Sequence, residues 1–140
     1  MTTPDQRPGQ MRVLVVEDNK DAAEMMRKLL RAFGYQSFVA HDGSAALREV
    51  EEGRPDVVLL DIGLPGALDG WEVARRIRGQ VHEKMPLIIA VTAYGTDDDR
   101  RKSEQAGINL HLTKPADPRQ LQSVLREFER GQPPSQAGEI

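Results

Sequence analysis

The chain has no cysteine among its 140 residues, which removes disulfides, thiolate nucleophiles and sulfur-ligated metals from consideration. No apolar run approaches the ~20 residues that a membrane span requires. Met1 to Gln10 has no apolar core and so cannot act as a secretory signal, and the expected location is cytoplasmic. A basic excess is also absent. Net charge is −3 and the pI about 5.6, which argues against a nucleic-acid module with its usual basic face. Neither a Gly-rich phosphate loop nor a serine–histidine pair occurs, there is no internal repeat, and His41, His82 and His111 are dispersed without metal-ligand spacing.

What remains is ordinary for a soluble globular chain: 39% apolar and 29% charged residues, with room for one compact domain. Residues 1–10 (MTTPDQRPGQ) and 131–140 (GQPPSQAGEI) are rich in Pro, Gly, Gln and Ser and offer nothing to bury, so both are expected to be disordered tails. Residues 11–130 form the dense segment between them.

That segment alternates short apolar runs with helix-period stretches. Arg12–Val16 is β-branched and nearly unbroken, as a strand covered on both faces should be. Ala22, Met25, Met26, Leu29, Leu30 and Phe33 recur at helical spacing, with Gly34 as the stop. Ser37–Ala40 reads as a second strand, followed by a short helix with Ala46, Leu47 and Val50 inward and Gly53 behind it. Val57–Leu60 and Leu87–Val91 are further apolar strands, separated by a helix over Trp71–Arg78 that buries Val73, Ala74 and Ile77. Thr96–Ala106 has almost no apolar stripe and suggests a loosely anchored helix. Ile108–Leu112 alternates as an edge strand would, and Pro118–Phe128 closes the chain with Leu121, Val124, Leu125 and Phe128 at helical spacing. Strict alternation of this kind implies an α/β fold, a doubly wound (βα)5 parallel sheet of flavodoxin-like order 2-1-3-4-5.

Ligands in such sheets bind beyond the carboxyl ends of the strands. The residues standing there are Glu17 and Asp18, Asp61, Thr92, and Thr113 with Lys114. Each has an ordinary account: Asp18 or Asn19 capping a helix, Asp61 opening an Asx turn, Thr92 ending a strand, Lys114 in a solvated loop. Their joint placement on one rim is harder to explain that way. Three converging carboxylates repel and raise one another's pKa, which a hard divalent cation such as Mg²⁺ relieves through oxygen ligands. One carboxylate would then serve as a nucleophile towards phosphorus, with Lys114 and the cation neutralising the phosphoryl oxygens.

At this point the residues resemble the receiver domains of two-component response regulators. The likeness rests on Leu14-Val15-Val16-Glu17-Asp18-Asn19, on Asp56 to Gly66 (DVVLLDIGLPG), on Asp69 to Ala74 (DGWEVA), on Val91-Thr92-Ala93 and on Leu112-Thr113-Lys114-Pro115, and it covers essentially all of residues 11–130. It implies that Asp61 is the phosphoacceptor in a phosphorelay. It also implies that Glu17, Asp18, Asp61 and the Gly63 carbonyl bind Mg²⁺, that Thr92 and the Ala93 N–H contact the phosphoryl group, and that Lys114 pairs with Asp61 or its phosphate. The Lys114–Pro115 bond would be cis, and the donor a histidine kinase or histidine phosphotransfer protein.

Departures from the family pattern carry their own expectations. His111 stands at the family's aromatic switch position, which puts a rotating aromatic in doubt; the alternative is an exposed edge-strand histidine. The Ile62–Asp69 loop is one residue longer than usual, at Ala67 or Leu68. Gly63 has no side chain to orient a water and Tyr94 would shield the phosphate, so the phosphoaspartate is expected to be long-lived. No output domain follows Phe128, as in a lone receiver or a piece of a hybrid kinase. An aspartate-nucleophile phosphatase is the second candidate, disfavoured because Gly63 stands where its acid/base aspartate belongs and because no cap domain is present. A pseudo-receiver that only binds proteins is the third, opposed by intact Asp61, Thr92 and Lys114.

Overall fold

The computed structural model describes residues 10–80, 84–93 and 95–131. The expected tails therefore lie almost wholly outside the described residues, as do Tyr94 and His82. The described chain alternates β1 (Arg12–Val16), α1 (Lys20–Ala32), β2 (Gln36–Ala40), α2 (Gly43–Gly53), β3 (Val57–Asp61), α3 (Gly70–Gly79), β4 (Leu87–Thr92), α4 (Asp97–Gln105), β5 (Leu110–Thr113) and α5 (Pro118–Glu129). All strand pairs are parallel and the order is β2-β1-β3-β4-β5, the doubly wound arrangement expected from the alternation.

Each helix starts on a side chain that accepts one of its free N–H groups: Asn19, Asp42, Asp69, Thr96 and Asp117. The core divides into two layers. One sheet face carries Leu14, Val16, Val58, Leu60, Ile88 and Ala90 against α2 and α3, with Ala106 and Ile108 completing it. The opposite face carries Val13, Val15, Leu59 and Ile89 against Leu30 of α1 and Leu121, Val124 and Leu125 of α5. β3 is buried along its whole length, as a central parallel strand must be.

Two expectations are corrected. The inner face of α1 is set by Ala23 and Leu30, with Met26 and Phe33 packed beside them; Ala22 is exposed and Met25 is 72% exposed. The small Ala23 lets the helix approach the sheet, which turns Met25, two residues on, about 200° away. The fifth strand begins at Leu110 rather than Ile108. There the Asn109 side-chain oxygen accepts the Ile88 N–H at 2.8 Å, taking the place of a ladder carbonyl. α4 keeps only Ser103 buried within the helix, in line with its missing apolar stripe. No helix among the described residues is long and apolar enough to cross a membrane.

Candidate functional site

The sheet register brings the carboxyl ends of β1, β3 and β4 together, with Val16 opposite Leu60 and Asp61 opposite Val91. Glu17 and Asp18 follow β1 directly, Asp61 ends β3, Thr92 ends β4 and Lys114 follows β5. One carboxylate oxygen from each of Glu17, Asp18 and Asp61 lies within 4.8 Å of the others. Because Asn19 caps α1, accepting from the Ala22 N–H at 2.9 Å, the capping account of Asp18 falls away and its carboxylate is left to the cluster.

Asp61 is 7% exposed and is held at both oxygens. Its Oδ1 accepts the Gly63 N–H at 2.9 Å, and its Oδ2 lies 3.1 Å from Lys114 Nζ. Lys114 also stands 3.7 Å from Glu17 Oε1. Glu17 Oε2 in turn accepts the Asn19 N–H at 3.2 Å. Burial pushes the Glu17 carboxyl above its ordinary range, and the Asp61 charge adds to the rise, while the Asn19 N–H and Lys114 oppose it. Three carboxylates thus face one ammonium group. That all-oxygen, charge-excess donor set from rigid strand ends suits a hard divalent cation.

The remaining expected residues fall around this cluster. Thr92 is buried on the same rim, and its carbonyl accepts the Lys114 N–H at 2.7 Å. Ala93, next in sequence, is exposed. The Lys114–Pro115 peptide is cis. Gly63 is tied in through its amide, a contact the sequence did not suggest. His41 also went unforeseen; its Nδ1 lies 2.9 Å from the Glu17 carbonyl oxygen. Backbone amides carry no sequence signal, and His41 is brought in only by the β1–β2 pairing.

α3 begins hard against the site. A Cβ at Gly70 would lie 2.6 Å from Ile62 Cα and 2.8 Å from the Asp61 carbonyl oxygen, so the close approach needs glycine. The 62–69 loop turns Leu68 inward onto α2, where a Cβ on Gly43 would lie 2.7 Å from Leu68 Cβ; residues 65–67 are exposed. On the other side of Asp61, a groove bordered by Met25, Met26, Leu29, Pro115 and Pro118 opens beside Lys114.

His111 is not the exposed edge-strand residue that the alternation allowed. It is 7% exposed, and its Nε2 lies 2.5 Å from the Ser103 Oγ of α4. The strand's polar face is covered by α4, so polarity there does not mean solvent.

Residues 13–126 match the response regulator receiver domain family, and the chain belongs to it. Among curated relatives, response regulator MprA of Mycobacterium tuberculosis is 35% identical over 129 residues, spanning 92% of this chain and 55% of the relative. Sporulation initiation phosphotransferase F of Bacillus subtilis is 32% identical over 117 residues, 84% of this chain and 92% of the relative. Among solved structures, the receiver domain of a Pseudomonas aeruginosa sensor histidine kinase, with magnesium coordinated in its active-site cleft, is 36% identical. It superposes with a TM-score of 0.78 over 86% of this chain and 98% of that one. The Saccharomyces cerevisiae receiver domain of Ssk1, crystallised with the histidine phosphotransfer protein Ypd1, is 28% identical with a TM-score of 0.79 over 89% and 92%. The chain is therefore similar to receivers of two-component signalling in both fold and sequence.

Proposed function

We propose that Asp61 accepts a phosphoryl group from a phosphohistidine donor. The observation that carries this is the paired restraint on Asp61, with Oδ1 on the Gly63 amide and Oδ2 on Lys114, inside a cluster of three acids. An Asp61 oxygen attacks phosphorus, the P–N bond to the donor imidazole breaks, and an acyl phosphate forms as the imidazole leaves. Lys114 follows the charge from the carboxylate to the phosphoryl oxygens. The Thr92 hydroxyl and the Ala93 N–H donate to the oxygens that remain. Glu17, Asp18, Asp61 and the Gly63 carbonyl would hold Mg²⁺, which when bound neutralises phosphoryl oxygens and the mutual repulsion of the acids. No step needs a further enzyme group, so the domain is a phosphoacceptor that assists its own phosphorylation and dephosphorylation rather than a turnover enzyme.

The partner is a histidine kinase or a histidine phosphotransfer protein, supported by the Ssk1 receiver crystallised with Ypd1. Such a donor reaches Asp61 past the apolar groove beside exposed Met25.

The test is intact-protein mass spectrometry after incubation with Mg²⁺ and a small acyl phosphate. Wild type gains one phosphoryl group, Asp61→Asn gains none, and EDTA abolishes the adduct. An adduct of equal yield on Asp61→Asn, or none on folded wild type with either a small donor or a phosphorylated histidine phosphotransfer protein, overturns the assignment.

A further inference from the structure

α4 is a helix with almost nothing apolar to hold it, yet it buries one polar side chain. Ser103 is 1% exposed and is the one residue of the helix that is buried. Its Oγ accepts the indole N–H of Trp71, on α3, at 2.9 Å. The same oxygen lies 2.5 Å from Nε2 of His111, on β5. An indole nitrogen only donates, so the hydroxyl proton of Ser103 is free to point at the imidazole, whose Nε2 then accepts. One hydroxyl therefore joins three elements: α3, α4 and β5. Lys102 adds to the joint, its Nζ 5.1 Å from the centre of the Trp71 ring.

The surroundings of this joint lead to the phosphorylation site in two ways. His111 pairs with Ala90 in the sheet register, and Thr92 pairs with Thr113. Residues 90 and 92 of β4 share a face, so Thr92 stands one pleat along from the small side chain facing His111. Trp71 immediately follows Gly70, whose backbone is pressed against Asp61 and Ile62 with no space for a Cβ. A shift in the backbone at Asp61 is thus passed to Trp71, and a shift of Thr92 to the row that holds His111. Beside the joint, an open cleft of about 330 Å³ lined by Arg100, Glu104, Asn109 and His111 separates α4 from β5. α4 has somewhere to move.

We propose that Trp71, Ser103 and His111 form a hydrogen-bonded latch that holds α4 closed in the unphosphorylated domain, and that phosphorylation opens it as a unit. His111 is then a fixed member of the latch and not a side chain that swings alone. The opening step rests on Asp61 as phosphoacceptor; the latch itself does not.

The chain has a single tryptophan, so its indole N–H is an unambiguous reporter. Hydrogen exchange, followed by NMR for the indole and by peptide mass for α4, separates the two parts of the proposal. In unphosphorylated protein, Ser103→Ala raises exchange of the indole and of 97–105 by tenfold or more, with α1 and α2 unchanged. Trp71→Phe keeps a ring and removes the donor, and moves 97–105 in the same direction, which guards against a Ser103→Ala variant that fails to fold. Phosphorylation of wild type, checked by intact mass, produces the same pattern, and phosphorylated Ser103→Ala shows no further change in α4. Wild-type protection in both variants overturns the latch. An indole that stays protected while α4 opens on confirmed phosphorylation overturns its role in signalling. Absence of any phosphoryl adduct condemns the Asp61 assignment, and the unphosphorylated comparison still decides the latch.

Discussion

Replacing Gly70 by alanine pits helix propensity against packing. Alanine is favoured over glycine within a helix by up to about 1 kcal/mol, so propensity alone predicts a neutral or stabilising change. The structure predicts the reverse. The added Cβ would stand 2.6 Å from Ile62 Cα and 2.8 Å from the Asp61 carbonyl oxygen. Ordinary contact starts at 3.4 Å, so the start of α3 or the end of β3 must yield by about 0.8 Å, and both obstacles are backbone. Overpacking of that kind costs roughly 1–3 kcal/mol, and a displacement near 1 Å at a reacting group costs up to about a hundredfold in rate. Urea unfolding and the rate of Mg²⁺-dependent phosphorylation are therefore both expected to suffer. Gly79→Ala is the control, since a Cβ there meets nothing within 4 Å and should be neutral or stabilising by up to ~1 kcal/mol. A Gly70→Ala variant as stable as Gly79→Ala, phosphorylating at the wild-type rate, would refute the argument.

Four further outcomes are expected. Arg78 donates to the Gly107 carbonyl at 2.8 Å, the Pro86 carbonyl at 2.8 Å and Asn109 Oδ1 at 2.7 Å, so Arg78→Ala should lower unfolding free energy in urea by about 2–4 kcal/mol, with only part restored by lysine. Mg²⁺ at about ten times its Kd should stabilise the domain by roughly 1.4 kcal/mol in thermal unfolding. The gain should vanish in Asp18→Ala and shrink as pH falls into the raised Glu17 range, because the bound proton competes with the ion. Tyr35, its hydroxyl donating to Glu129 Oε1 at 3.1 Å, is pushed up to about 12 by burial and that carboxylate; the neutral phenol is the form the fold favours, so its contribution is complete below pH 10 and lost as pH rises through 12. A phenolate absorbance titration finished by pH 11, or unchanged in Tyr35→Phe, would contradict this. Gly63→Asn should speed phosphate release by about tenfold, equivalent to ~1.4 kcal/mol of barrier, since the 3.5 Å from its Cβ position to Asp61 Oδ1 admits a side chain able to orient water; an unchanged release time course would count against it.

The fold and the acidic centre were legible because both rest on one-dimensional signals. Unbroken apolar runs such as Leu87–Val91 mark interior parallel strands, and a polar residue ending such a run, as Asp61 does, lands on the carboxyl-end rim of the sheet by topology alone. The corrected positions depended on information that the sequence spreads over distant segments. Met25 and Ala22 matched a helical period as well as Ala23 did; only packing against β1 and β2 selects which stripe turns inward. The start of β5 moved because a side-chain amide, Asn109, substitutes for backbone in the ladder. Ser103 carried no signal of its own and His111 allowed an exposed edge-strand reading; the two meet only once α4 lies across β5. Buried polar groups that complete one another are invisible to periodicity, which counts apolar residues.

The distribution of work over the sheet follows from the same geometry. Burial, with the Asp61 charge added to it, raises the Glu17 carboxyl above its ordinary range, so the acidic centre pays a cost for holding its charges together. The rim answers with rigid backbone: the Gly63 amide on Asp61, the Asn19 amide on Glu17, and the Gly70 contact beneath them. α4 is the opposite case, a helix in which Ser103 is the one buried residue. Adjacent residues, Gly70 and Trp71, touch the first region and the second. A change at Asp61 too small to disturb the apolar core would still act on the Trp71–Ser103–His111 joint, because hydrogen bonds weaken steeply with misalignment while apolar contacts tolerate it. The helix with a single buried residue thus stands next to the element that touches the site.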